Sequence, residues 1–197
     1  MNLFHLSAII LLALNFTGRP VSRTEAAPVS EEKVAMPVHE TEEYIAWTSD
    51  RLLTWDDFKC EPKTGTDAVA STSTSLGIAY QLVNGKLTYD ITCSFSKVKS
   101  WGLMKTDYIL AHEQGHFDIT EIFARKLHQA LQQYEFNRKT FKKDIGEIYQ
   151  SIVKEKEAHQ KMYDGETDHS RNRKVQYEWL EKIEKMLEET EEYAGYP

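Results

Sequence analysis

The chain has 197 residues, 41 % of them hydrophobic and 28 % charged, with a formal net charge of -7. That balance is globular and large enough for a single core, and an acidic chain without a long basic run argues against binding a nucleic-acid backbone. Two cysteines, Cys60 and Cys93, permit one disulfide and equally permit two buried thiols.

In chain order, the first element is the apolar run Ala8–Leu14 within the first 18 residues. It is shorter than the ~20 residues of a membrane-spanning helix and fits the core of a secretory signal, so export to a periplasmic or extracellular compartment is expected. No stable membrane span is expected once the signal is removed. Residues 19–43, rich in Glu, Pro, Ala, Ser and Thr without any period, read as a disordered linker. Residues 44–197 read as one domain.

Ile45 and Trp47 alternate with polar neighbours, and Trp55-Asp56-Asp57 suggests a turn. Asn84-Gly85 is a preferred pair for a type I′ hairpin, because both residues tolerate positive φ. Folding there pairs Leu82 with Leu87, Tyr80 with Tyr89 and Ile78 with Ile91 on one apolar face, which Cys93 and Phe95 continue.

After Trp101 the period changes. Ile109, His112, His116, Ile119, Phe123, Leu127, Ala130 and Leu131 make one stripe of a helix spanning about 106–134. Further helices are predicted over about 139–162 and 171–192, with Ser170 as a cap for the last. The fold class is therefore α+β: an N-terminal antiparallel sheet followed by three helices, the first carrying His112-Glu113-Gln114-Gly115-His116. Trp55, Trp101 and Trp179 read as core anchors, and the glutamate-rich last helix as a solvated face.

Histidines four apart on one helical face can bind one Zn²⁺, and Glu113, about 100° further round, is placed to act as general base on a water. The apolar stripe strengthens this reading, since an unpaired imidazole there would carry a desolvation cost. A third ligand must come from elsewhere. The first helix runs ~30 Å past His116, and a return helix of equal length brings the polypeptide back between His159 and His169. His169 is preferred, because it lies in a turn-rich stretch while His159 sits among charged residues; Glu166 and Asp168 are the outside candidates.

The stretch from His112 to Ile119, with Glu121-Ile122 and Ala124-Arg125-Lys126-Leu127 after it, resembles a bacterial family of predicted secreted zinc-dependent proteases. That family was long catalogued as a domain of unknown function. Its second signature, Tyr-Asp-x-x-Thr-x-His, is matched by Tyr163, Asp164, Thr167 and His169. Leu53-Thr54-Trp55-Asp56-Asp57-Phe58 and Ala70-Ser71-Thr72 also resemble it, and Ser170 stands where members often have Gly. The resemblance implies a zincin-like site with His112, His116 and His169 on zinc and Glu113 as catalytic base. Tyr163 is then either a phenol donor to the oxyanion or a packing residue, and Asp164 either orients a ligand histidine or caps a turn.

The expected function is an exported zinc metallopeptidase acting on a peptide or protein substrate, with the hairpin edge as one place for an extended peptide. The alternatives are a zinc amidase of cell-wall peptides and a non-catalytic exported zinc-containing binding module.

Overall fold

The computed structural model describes residues 40–63 and 65–197. The expected signal and most of the expected linker lie outside the described residues. Order is present by Glu40, four residues ahead of the expected domain boundary. Glu40 bridges Ile45 and reaches the buried Lys97 ammonium, while Thr41 accepts from the Tyr44 amide.

Three strands form the main sheet: β1 (Tyr44–Ala46), β3 (Thr74–Val83) and β4 (Lys86–Ser96), in the order β1-β4-β3, all antiparallel. A small second sheet pairs β2 (Ala70–Ser71) with β5 (Trp101–Gly102). The hairpin has the register expected from its turn: Ile78 faces Ile91, Tyr80 faces Tyr89 and Leu82 faces Leu87. Asn84 and Gly85 both have positive φ, 51° and 79°, as a type I′ turn requires. The inner face is sealed at Leu76, Ile91, Cys93 and Phe95, but the tip projects beyond the helices and leaves Tyr80 and Leu82 each 36 % exposed.

Three helices follow: α1 (Asp107–Gln132), α2 (Phe141–Thr167) and α3 (Arg173–Glu189). Thr106 caps α1 by accepting from the Ile109 amide. Asn172, not Ser170, caps α3, by accepting from Val175. The architecture is thus α+β, an antiparallel sheet followed by three helices.

α1 is central and buried nearly all round, wider than the expected stripe. Phe117 meets Phe95 of the sheet, Phe123 meets His159 of α2, and Gln176 of α3 donates to the Tyr108 carbonyl. Polar residues of α1 are buried with it. Arg125 donates to Glu121 at 2.8 Å and to the Leu187 carbonyl at the end of α3, and Tyr196 donates to the other Glu121 oxygen. Burial pushes the Glu121 carboxyl up, against the pull of Arg125.

Trp101 and Trp179 are buried anchors as expected, and Trp55 is half-buried over Gly102, where any Cβ would strike its ring. Cys60 and Cys93 are free thiols, so the permitted disulfide is absent. Cys93 is 3 % exposed on the inner face of β4, and burial raises its thiol pKa. Among the described residues no helix is long and apolar enough to cross a membrane.

Candidate metal centre

α2 runs five residues further than expected, so Tyr163 and Asp164 lie on its last turns and not in a loop. Each signature residue has a packing reason for its type. Tyr163 is fully buried and stacks on the His112 ring, with centroids 4.5 Å apart. Its ring presses on Gly115, where an added Cβ would meet the hydroxyl oxygen at 2.6 Å. Glycine in the motif therefore admits α2 to α1. Gln114 accepts from the Leu53 amide and donates to Asp118, which also accepts from Trp47, so the segment after β1 is fastened to the same turn of helix.

A methyl at Gly115 gains helix propensity worth about 1 kcal/mol but forces Tyr163 back. Gly115→Ala is expected to cost about 1–3 kcal/mol of stability, the usual range for overpacking, and to weaken metal binding as Asp164 moves with Tyr163. Denaturant midpoints and metal titration of the variant check this; wild-type values for both would show that the contact is slack.

Asp164 brings the site together. Its Oδ1 lies 3.3 Å from His112 Nε2, 3.1 Å from His116 Nε2 and 3.5 Å from His169 Nδ1. The donor atoms of His112, His116 and Asp164 all fall within 4.8 Å of one another. Burial opposes charge on Asp164, but its hydrogen bonds to His112 and His116 prevail and hold the carboxyl far below its ordinary range. His116 responds in the opposite sense, burial lowering its pKa and Asp164 raising it to a net increase.

The tautomer of His116 follows from its neighbours. Gln160 donates its amide to the His116 carbonyl at 2.8 Å and to Thr120 Oγ1 at 3.2 Å, so its oxygen faces His116 Nδ1. Nδ1 therefore carries a proton, and a neutral ring directs a lone pair from Nε2 towards the Asp164 carboxylate. Two acceptors 3.1 Å apart repel unless a positive charge accompanies them. A proton supplies it, and so does a metal ion. Imidazole nitrogens with a carboxylate oxygen are a donor set that Zn²⁺ accepts.

Glu113 is 4 % exposed, and its Oε2 has no hydrogen-bond partner among the described residues. It lines, with His112, His116, Asp164 and His169, a cavity of about 730 Å³ whose far wall is formed by residues 68–74. That wall is β2 with the residues flanking it and the first residue of β3; the tip of the hairpin takes no part. Tyr163 does not line the cavity, and its hydroxyl donates to the His112 carbonyl. Of the two roles open to it, this placement supports packing.

The turn after α2 delivers His169. Asp168, His169 and Ser170 have φ of 49°, 50° and 69°, three consecutive non-glycine residues in the left-handed region. Such residues cost on the order of 1 kcal/mol or more each and persist only where the surroundings impose them. Here Thr167 donates back to the Tyr163 carbonyl, the His169 amide donates to the Asp164 carbonyl, and Tyr108 donates to the Ser170 carbonyl at 2.6 Å. Ser170→Gly is expected to raise stability by about 0.5–1 kcal/mol by relieving φ, a change that thermal or denaturant unfolding would register.

The other candidates lie elsewhere. His159 packs on Phe123, with burial and then Lys126 lowering its pKa. Glu166 accepts from Trp179, and Asp168 pairs with Arg171. The structure places His169 Nδ1 3.5 Å from Asp164 with its side chain 60 % exposed, while sequence reasoning missed Gln160 and left Asp164 undecided. Their spacing of four on α2, facing the histidines of a helix lying alongside, was the available signal.

No curated protein and no solved structure matches the chain. One family does, described as "Bacterial protein of unknown function (DUF922)", over residues 21–170. That span includes the His112–His116 motif and the Tyr163–His169 signature, and it covers most of the sequence. The chain belongs to this bacterial family.

Proposed function

We propose that the protein is an exported zinc-dependent hydrolase, acting on peptide bonds. One observation carries the reading: Glu113, a buried carboxylate with an oxygen unpartnered among the described residues, lines the same cavity as the three histidines that surround Asp164 Oδ1. A zinc site that is only structural has no use for such a base.

In this reading His112, His116 and His169 hold the ion, and Asp164 supplies negative charge beside it. Bound zinc supplies Lewis acidity, which polarises a carbonyl and brings a water's pKa towards ~7. Glu113 takes a proton from the attacking water and returns it to the departing amine. Gln160 keeps the His116 proton on Nδ1, so Nε2 stays free to ligate. The wall at 68–74 offers backbone along which an extended peptide can lie. Export rests on the apolar run at Ala8–Leu14.

A second reading, hydrolysis of amide bonds in cell-wall peptides, uses the same groups. The two are separated by incubating the zinc-loaded protein with a peptide mixture and with isolated wall fragments, then reading the new termini by mass spectrometry. Loss of cleavage on chelation and recovery with zinc are expected. Zinc-independent cleavage, or none of either substrate, contradicts the proposal.

The ligand assignment has its own test. His169→Ala is expected to release zinc or weaken its binding at least tenfold, Asp164→Asn to weaken it by about 10–100-fold, and His159→Ala to leave it unchanged. Competition titration against a chromogenic chelator reads all three. A reversed result at the two histidines would refute the ligand set.

A further inference from the structure

The cavity continues along α2 away from the histidines, and its far end has chemistry the metal centre does not use. Lys156, Gln160 and Asp164 recur at intervals of four on one stripe of α2. Lys156 lines the same cavity some 12 Å along the helix axis from Asp164. It is 7 % exposed, and a buried ammonium is costly unless it is paired.

Its partner among the described residues is Glu157, at 2.9 Å, whose side chain is 64 % exposed. Such a pair is screened by water and occupies one of three ammonium donors. Thr72 also lines the cavity, and its buried hydroxyl has no hydrogen-bond partner among the described residues. Lys63 and Lys99 also line the space. Glu157 lines the cavity beside Lys156, so this stretch of α2 carries an ion pair whose ammonium keeps two donors without a partner among the described residues.

We propose that Lys156 forms a carboxylate-binding subsite that selects substrates with an anionic group about three to four residues from the cleaved bond. An extended peptide advances about 3.3–3.4 Å per residue, so the 12 Å offset along α2 corresponds to that number of residues. The carboxylate comes either from the C-terminus of a peptide or from an acidic residue within it, and both present the same acceptor oxygens. This inference rests on the peptidase reading and adds a substrate class to it.

Binding, read without turnover, tests it. Zinc-loaded Glu113→Gln protein is titrated calorimetrically with N-acetyl-tetraalanine bearing a free C-terminal carboxylate, with its C-terminal amide, and with amides carrying glutamate at the third or fourth position. The carboxylate is expected to bind about ten- to a hundredfold more tightly than the neutral amide. Tighter binding of the glutamate amides instead identifies an acidic residue as the source. Adding Lys156→Met should reduce the preferred peptide to the level of the neutral amide, and Lys156→Arg should restore most of the difference. Zinc content and circular dichroism of each variant exclude collapse of the centre, with Lys156→Gln replacing a Met variant that does not fold. Equal binding of charged and neutral peptides, no binding of any, or an equal loss for both in Lys156→Met overturns the proposal. Failure of the peptidase reading would look different: the charge preference would persist while the native protein cleaved nothing.

Discussion

Glu113→Gln is expected to cut hydrolysis by about 10²–10⁴-fold while zinc content and fold stay intact. The substitution is nearly isosteric, and Oε2 has no protein partner to lose among the described residues. Replacing a buried carboxylate by a neutral amide also removes a desolvation burden, so stability should hold or rise slightly. The loss should appear in kcat and in kcat/KM together, because proton transfer is made in the transition state. Rates within a factor of two or three of wild type, with zinc bound, would remove Glu113 from the role of base.

The largest expected stability effect lies away from the centre, at Arg125. Its guanidinium is 2 % exposed, bonds Glu121 at 2.8 Å and the Leu187 carbonyl at 2.8 Å, and lies over the Trp47 ring. Truncation to Ala leaves Glu121, 1 % exposed, bonded to the Tyr196 hydroxyl but without its guanidinium partner. Breaking a buried pair from one side costs about 3–5 kcal/mol, which for a domain of this size lowers Tm by on the order of 10 °C. Removing both charges, as Glu121→Gln with Arg125→Met, should recover a substantial part of that loss. Equilibrium denaturation of the single and double variants measures it, and a single-variant cost below ~1 kcal/mol would mean that water replaces the guanidinium at little expense.

These two positions also show what the sequence could and could not reveal. Asn84-Gly85 and the alternation around it are independent signals that agree, and the hairpin register follows them residue for residue. On α1 the apolar stripe was legible, whereas Glu121, Arg125 and His128 lie outside it and are buried nonetheless. They are buried because partners distant in sequence satisfy them: the Leu187 carbonyl, the Tyr193 carbonyl and the Tyr196 hydroxyl. No local pattern encodes such pairings.

The end of α2 was misread for a related reason. Asp164-Gly165-Glu166-Thr167 has turn composition, but Gly165 faces open space and Thr167 closes onto the Tyr163 carbonyl, so the helix continues. The arithmetic of helix lengths found the correct neighbourhood for His169. It could not find Gln160 and Asp164, because the register of α2 on α1 is set by Tyr163 seated on Gly115. Ser170 is the informative departure. It has φ of 69°, a conformation that favours glycine, and Tyr108 helps to hold it by donating to the Ser170 carbonyl.

His112, His116 and His169, gathered round Asp164, are proposed to bind one zinc ion. Elemental analysis of the protein purified without chelators, beside His116→Ala, tests it most directly. About one zinc per protein molecule is expected, removed by chelator and restored by titration, and little or none in the variant. A wild-type protein that arrives without metal and takes up none on titration, or a His116→Ala protein that keeps its full equivalent, would contradict it.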